Sequence, residues 1–336
     1  MGNGGLKLSR REFLGVGVSA AVLGCLTVTG CGVTPNSTAQ DSSSSSSKNG
    51  PYSFAFLTNT LNNTFQSSMN DKFQEQCDNA GYSYVCLNPD YNLNTQLSQL
   101  SDAANQDLDA VFVIPVDSAG IRSGLQELKD AGKKILNVDT AVTEDDRSLI
   151  DTLIGTNAEQ AGQLVGQQMV KDYPNGADIA ILDFPSNESC VNRVKGFNEG
   201  LGDSASKFNI VAQQDGKATL DSSLNVAQDI IQANPNLQAF FCINDPSSLG
   251  AVAAIKAANK QGLINVYSID ASPDGKKALI DGDFKAVACQ VPLGIAEKAF
   301  ECAVDLMQGQ SVDKEIWLDS HLISIDEAKQ TEDEWQ

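Results

Sequence analysis

The sequence predicts an α/β protein made of two similar lobes, each a parallel sheet flanked by helices. Three observations support this fold class. From residue 51 onward, short apolar runs alternate with amphipathic segments, which is typical of repeated βα units. The alternation restarts near residue 158, so the second half repeats the architecture of the first. Polar residues follow the strands in both halves, at the edge where such sheets bind ligands.

The first unit shows the pattern most clearly. Residues 53–57 are apolar enough for a strand covered on both faces, and Asn62, Asn63 and Thr64 offer side chains that cap a following helix. Apolar residues then recur every four positions along that helix, at Phe65, Met69, Phe73 and Cys77. This pattern suits a hydroxylated ligand at the strand's end, and it suits equally a capped helix with Phe65 in the core.

The remaining elements follow in order. In the first half we expect strands at 82–87, 110–115, 135–139 and around 153–155, with helices at 95–105 and 119–131. In the second half we expect strands at 178–184, 210–213, 239–243, 266–270 and 286–291, with helices at 158–173, 189–201, 220–233, 246–259, 273–281 and 294–306. The polar residues at the strand ends are Asn59, Asp117, Asp139, Asn244, Asp245, Asp270 and Gln290. There are more of these residues than helix capping requires, and this excess predicts a cleft shared by the two halves.

The front of the chain predicts export and lipidation. Arg10 and Arg11 precede an apolar run of about 16 residues, short of the ~20 that a membrane-spanning helix needs. The run ends in Val-Thr-Gly followed by Cys31, a lipoprotein cleavage box. We therefore predict a twin-arginine signal peptide over 1–30 and a lipid on Cys31, with Cys25 as the competing site. The Ser-rich residues 31–50 predict a flexible tether.

Composition excludes several classes of function. The net charge of −20 disfavours nucleic acid, which binds through Lys and Arg. The single histidine, His321, excludes His-cluster metal sites and leaves one candidate base for a catalytic relay. The first strand–helix turn has no glycine, so a nucleotide-binding loop is absent, and so is the G-x-S-x-G elbow. We expect no catalysis, no metal and no cofactor.

The six cysteines after Cys31 contain no C-x-x-C pair. Most of them fall in apolar strands or on helix faces, where a free cysteine behaves as a small hydrophobe. We expect buried thiols, and Cys77–Cys86 is the one bridge that the spacing leaves open.

Several segments together resemble the ribose-binding group of type I periplasmic sugar-binding proteins, over residues 51–326. They are 60–65 (Thr-Leu-Asn-Asn-Thr-Phe), 114–118 (Ile-Pro-Val-Asp-Ser), 137–139 (Asn-Val-Asp), 192–197 (Asn-Arg-Val-Lys-Gly-Phe), 241–245 (Phe-Cys-Ile-Asn-Asp), 268–275 (Ser-Ile-Asp-Ala-Ser-Pro-Asp-Gly) and 289–292 (Cys-Gln-Val-Pro). Each segment alone is weak, whereas seven in order at compatible spacing are specific.

The resemblance implies a set of ligand-binding residues. They are Asn63, Phe65, Gln66, Asp139, Thr140, Arg193, Asn244, Asp270 and Gln290. Carboxylates and amides bind the hydroxyl groups of a sugar, a guanidinium donates a rigid fork, and an aromatic ring covers an apolar face. The chain departs from the ribose-binding pattern where that pattern has further aromatics, an Asn and a second Arg. These positions carry Gln66, Ile114, Thr140, Ala218 and Ile269, so a hexose, another pentose or a cyclic polyol fits as well as ribose.

The resemblance also implies three crossings between the lobes, near residues 155, 291 and 319. The first lobe then comprises 51–155 plus 292–318 and the second 156–291 plus 319–336, with Trp317 as hinge packing. The implied function is that of a monomeric substrate-binding lipoprotein on the outer face of the cytoplasmic membrane, which closes on a small neutral sugar or polyol and delivers it to ABC permease subunits. The alternative is a sugar-sensing component for a chemotaxis or sensor-kinase partner.

Overall fold

The chain forms two parallel sheets, each with helices on both faces, in a computed structural model that describes residues 51–336. The predicted signal peptide (1–30), the lipidation site Cys31 and the tether (31–50) lie outside the described residues. The two-lobe α/β fold class is confirmed. No helix within residues 51–336 has the length and apolarity to cross a membrane.

The strands are β1 (Ser53–Leu57), β2 (Ser83–Leu87), β3 (Ala110–Val113), β4 (Lys134–Val138), β5 (Thr152–Thr156), β6 (Asp178–Asp183), β7 (Asn209–Asp215), β8 (Ala239–Cys242), β9 (Asn265–Asp270), β10 (Ala286–Cys289) and β11 (Glu315–Leu318). The helices are α1 (Thr64–Ala80), α2 (Leu93–Asn105), α3 (Arg122–Asp130), α4 (Ala158–Asp172), α5 (Glu188–Leu201), α6 (Leu220–Ala233), α7 (Asp245–Ala257), α8 (Pro273–Ile280), α9 (Pro292–Met307) and α10 (Ile325–Gln330).

The first sheet has the order β11-β5-β4-β3-β1-β2 and the second the order β10-β9-β8-β6-β7. Their central strands are buried on both faces because helices cover each side, which explains the continuous apolar runs in the sequence. Each sheet has an apolar cluster on each of its two faces. We call the part around the first sheet the first lobe and the part around the second sheet the second lobe.

The backbone passes between the lobes three times. It leaves the first sheet after β5, returns after β10 into α9, and leaves again after β11. An isolated antiparallel bridge between Ala288 and Leu322 joins the last passage to the second sheet. Trp317 lies at this passage, so close to Gly155 that a Cβ there would come within 3.2 Å of its ring. The residue ranges predicted for the two lobes stay a prediction, and so does the movement of the lobes against each other.

Three details differ from the sequence-based expectations. Helix α3 begins at Arg122 rather than 119, because Asp117 Oδ1 accepts hydrogen bonds from Ala119 N and Gly120 N and forms a turn first. Strand β11 and helix α10 were not predicted. Among the strands of residues 51–336, β11 is a short edge strand that pairs with β5 alone, so pairing distant in sequence creates it.

All six cysteines in the described part of the chain are free thiols. The possible Cys77–Cys86 bridge is therefore wrong for this structure. Cys77 is fully buried in the core on α1, and Cys86 is half-buried on β2. Burial raises the pKa of both thiols to about 12, which keeps them protonated and unreactive at neutral pH.

Candidate functional site

The nine predicted ligand-binding residues all line one cavity of about 410 Å³ between the two lobes. A cavity of this size lies in the range of small-molecule sites. The first lobe contributes Asn63, Phe65, Gln66, Asp139 and Thr140, and the second contributes Arg193, Asn244 and Asp270, with Gln290 on the second passage between them. The structure brings these residues together, and their role in binding a ligand stays a prediction.

The strand ends position the two carboxylates. Asp139 directly follows β4 with a φ of 61°, and Asp270 ends β9 with a φ of 137°. Backbone of this kind is unfavourable for residues with a side chain and is often found where a site must aim a group. Both carboxylates are therefore held toward the cavity by the ends of parallel strands.

Asp270 is bound on both carboxylate oxygens. Its Oδ1 lies 3.4 Å from Arg193 Nη1 and accepts a 2.7 Å hydrogen bond from Gln290 Nε2, and its Oδ2 accepts a 3.1 Å hydrogen bond from Asp245 N. Arg193 Nη1 also donates to the carbonyl oxygen of Ile243 at 2.6 Å. Burial raises the pKa of Asp270, while the charge of Arg193 and the hydrogen bond from Gln290 lower it. Charge-assisted hydrogen bonds of this kind hold both side chains in a fixed geometry.

Asp139 lies opposite this pair, and its Oδ2 accepts a hydrogen bond of 3.1 Å from Thr140 Oγ1. Burial raises the pKa of Asp139 to about 6, although Arg193 and Thr140 act in the other direction. Its carboxyl group therefore changes charge near physiological pH in the ligand-free protein.

Three polar atoms of cavity-lining residues are buried without a hydrogen-bond partner in the described structure: Asn59 Oδ1, Gln66 Oε1 and Arg193 Nε. A buried donor or acceptor without a partner is unfavourable by about 1–3 kcal/mol. These atoms are closed to solvent, so they belong to residues of the cavity wall without opening into the cavity in this arrangement.

The asparagines divide their roles. Asn63 Oδ1 caps α1 by accepting from Phe65 N at 2.9 Å. Its amide nitrogen has no hydrogen-bond partner among the described residues and can donate into the cavity. Asn244 Oδ1 caps α7 through Ser247 N, and its Nδ2 donates to Ala218 O, so most of its amide is already bound. Helix capping and ligand contact, which the sequence presents as alternatives at Asn63, are compatible in the structure.

Asp117 and Asp245, which also follow predicted strands, do not line the cavity. Asp117 forms the turn before α3, as described above. Asp245 is buried behind Asp270 and accepts hydrogen bonds from Ser268 Oγ, Ser272 N and Ser272 Oγ. Its role is to hold the end of β9. Of the positions that depart from the ribose-binding pattern, Ile114 and Ile269 are fully buried in the core, whereas Ala218 does line the cavity.

Two aromatic residues that the sequence analysis missed also line the cavity: Tyr91 from the loop after β2 and Phe184 from the loop after β6. Both follow strands, so the rule that identified the polar residues would have found them if aromatic residues had been included. Tyr91 is 58% exposed and has a φ of 57°, next to Asp90 with a φ of 51°. Burial of its hydroxyl group and the charge of Asp139 raise the pKa of Tyr91. Tyr91 lines the cavity while more than half of it stays exposed, which places it at the rim.

Helices α4 and α5 pack unusually closely and thereby place Arg193. A Cβ atom at Gly162 would lie 2.1 Å from Arg193 O, and one at Gly196 would lie 1.9 Å from Glu159 O. Only glycine permits this distance between the two backbones. The depth at which the guanidinium of Arg193 enters the cavity thus depends on these two glycines.

The profile of a family described as "Periplasmic binding protein domain" matches residues 54–311. The ribose import binding protein RbsB of Salmonella typhimurium is 29% identical over 270 residues, which cover 80% of this chain and 89% of that protein. The fructose import binding protein FruE of Bifidobacterium longum is 25% identical over 296 residues, covering 86% and 89%. The Caulobacter myo-inositol binding protein, solved with myo-inositol, matches with a TM-score of 0.78 at 25% identity, covering 84% of this chain and 96% of that chain.

Proposed function

The chain belongs to the periplasmic binding protein family, in its ribose-binding type I group, and we propose that it binds a small neutral sugar or polyol between its lobes for an ABC importer. The family consists of solute-binding components of transport systems, so the expectation that the chain is not an enzyme is confirmed.

One observation carries the proposal about the ligand. Residues from both lobes meet around one cavity, and carboxylates, amides and a guanidinium line it. A neutral polyhydroxy compound satisfies donors and acceptors of this mixture together. A strongly anionic ligand is disfavoured, because Asp139 and Asp270 line the cavity and its two cations already have acidic partners. Arg193 pairs with Asp270, and Lys217 pairs with Asp215.

Hinge closure completes the proposed mechanism. Because Asp139 and Arg193 lie on different lobes, a ligand that contacts both favours the closed arrangement by its differential affinity for it. The closed protein then presents a joined surface of both lobes, which permease subunits can distinguish from the open form. A lipid on Cys31 and a tether over 31–50 would hold the protein on the outer face of the membrane within reach of that partner.

The test of the ligand is a thermal-shift screen followed by calorimetry. The panel contains the compounds named for relatives, namely D-ribose, D-fructose and myo-inositol, with D-allose, L-arabinose and glycerol added, and citrate as an anionic control. We expect at least one neutral compound to raise the melting temperature by mass action and to titrate with one site per chain. No response to any neutral compound, or a response to citrate alone, would contradict the proposal.

The test of the anchor is expression of the full chain in a bacterium fed a labelled fatty acid. We expect label on the wild-type protein and on Cys25→Ala, and none on Cys31→Ala. Label on Cys31→Ala that disappears from Cys25→Ala would move the anchor to the competing site.

A further inference from the structure

Residues 331–336 cross from one lobe to the other directly behind the site, and we call them the strap. Trp335 packs its ring against Phe65 in an edge-to-face contact, with ring centroids 5.4 Å apart and planes at 87°. Neither Trp335 nor Gln336 lines the cavity. The strap therefore contacts Phe65 from the side that a ligand does not reach.

The strap also holds the second lobe. Gln336 Nε2 donates to Gln290 O at 3.0 Å and lies 3.4 Å from Asp270 O, so it binds the backbone of the two residues whose side chains are joined in the site. Gln336 O accepts a 3.1 Å hydrogen bond from Leu293 N, at the start of α9 in the first lobe. One short segment thus contacts three ligand-binding residues and both lobes.

A buried lysine fastens the strap. Lys276 on α8 is fully buried, and its ammonium group donates to Thr331 O at 2.9 Å, Thr331 Oγ1 at 2.9 Å and Glu334 O at 2.8 Å. An ammonium group has three hydrogens, so each can meet one of these acceptors. A lysine buried without such partners would be strongly unfavourable. The segment Gly275-Lys276-Lys277 lacks the features of a phosphate loop. Its first lysine has a structural role instead, because it binds the strap.

We propose that the strap is a noncovalent fourth connection between the lobes and that Trp335 and Gln336 are positioning residues for ligand binding. Trp335 holds the ring of Phe65 at the cavity wall, and Gln336 holds the β9 and β10 ends that carry Asp270 and Gln290. Because Trp335 reaches Phe65 only when the lobes are near each other, the strap also favours the closed arrangement. The binding measurement rests on the proposed function. A second measurement without ligand therefore distinguishes a failure of the strap from a failure of the proposed function.

The test combines affinity with shape. Calorimetry measures the affinity of each variant for the neutral compound of the panel that binds the wild type most tightly. Circular dichroism first checks that each variant is folded. We expect Trp335→Ala to bind about tenfold more weakly, which corresponds to about 1.4 kcal/mol, and Trp335→Phe to recover most of the loss. Lys276→Met should weaken binding, whereas Lys277→Met, on the adjacent exposed lysine, should bind like the wild type. If Trp335→Ala does not fold, Gln336→Ala tests the same strap by removing one carboxamide.

Small-angle scattering without ligand gives the second readout. We expect a larger radius of gyration for Trp335→Ala than for the wild type, because the lobes open more often. If the wild type binds no neutral compound but Trp335→Ala expands, the proposed ligand class is wrong and the strap stands. Wild-type affinity in both Trp335→Ala and Lys276→Met, or an unchanged radius of gyration in Trp335→Ala, would overturn the strap.

Discussion

Arg193 Nη1 lies 3.4 Å from Asp270 Oδ1, and the two side chains, 7% and 10% exposed, form a charged pair in the wall of the interlobe cavity. Arg193 comes from α5 and Asp270 from the end of β9, so their contact depends on how α5 packs on the second sheet. A buried charge is tolerated where an opposite charge and hydrogen bonds surround it, and both are present here. The pair is therefore the most sensitive point of the site.

We expect Asp270→Ala to weaken binding of the panel compound by a factor of about 100 or more, because it removes an acceptor and leaves Arg193 buried without its counter-charge. Calorimetry measures the loss. The matched control is Asp283→Ala, which removes a carboxylate that pairs with exposed Lys256 on the surface, and it should change affinity by less than about twofold. Unchanged binding in Asp270→Ala would show that the cavity is not the ligand site.

Affinity should depend on pH through Asp139. Its pKa of about 6 in the ligand-free protein means that it gains a proton on mild acidification. If the ligand's hydroxyl groups donate to the ionised carboxylate, one such group predicts about tenfold weaker binding at pH 5 than at pH 7. Asp139→Asn should bind more weakly at pH 7 and show a shallower pH dependence. An affinity that is constant over this range in the wild type would contradict the role of Asp139.

The stability of the ligand-free protein should depend on pH in the opposite direction. The folded-state pKa values of Asp139, Asp245 and Asp270 all lie above the ordinary value of 3.8, mainly because of burial. The folded form thus binds more protons than the unfolded form, so the free energy of unfolding decreases as the pH rises through about 6 to 7. Denaturant titrations without ligand at pH 5 and pH 7 measure this, with higher stability expected at pH 5. Higher stability at pH 7 would mean that these carboxyl groups are not buried in this manner.

Tyr91 should contribute to affinity from the rim of the cavity. We expect Tyr91→Ala to weaken binding about tenfold, because an aromatic face at a binding site is lost. The difference in affinity between Tyr91→Phe and the wild type measures the contribution of the hydroxyl group. Leu263→Ala is the control, since Leu263 is 69% exposed and does not line the cavity. Equal affinity of Tyr91→Ala and the wild type would make Tyr91 a surface residue without a role.

The glycines between α4 and α5 should be required for stability. Gly196→Ala would place a methyl group 1.9 Å from the backbone oxygen of Glu159, and the two helices would have to separate. We expect a loss of about 2–3 kcal/mol in the free energy of unfolding. Gly294→Ala is the control, because its nearest neighbour, Leu318 Cδ1, is at 3.5 Å and alanine favours a helix. Equal stability of both variants would contradict the close packing.

The sequence alone determined the alternation of strands and helices, because burial on both faces of a parallel sheet requires apolar runs that are visible without coordinates. All nine ligand-binding residues that it predicted converge on the cavity, because the carboxyl ends of parallel strands share one edge and the resemblance specified which residues to carry over. The export signal and the lipid on Cys31 are likewise sequence-based, and they lie outside the described residues.

Only the tertiary structure decided which polar atoms remain available to a ligand. Asn244 and Asp245 look alike in sequence, yet one lines the cavity and the other supports Asp270 from behind, because neighbouring strands determine which way each faces. The strand pairing of β11 and the contacts of Trp335 and Lys276 join residues far apart in the chain. No local pattern encodes such contacts, because their free energy depends on surfaces that exist only after both lobes have folded.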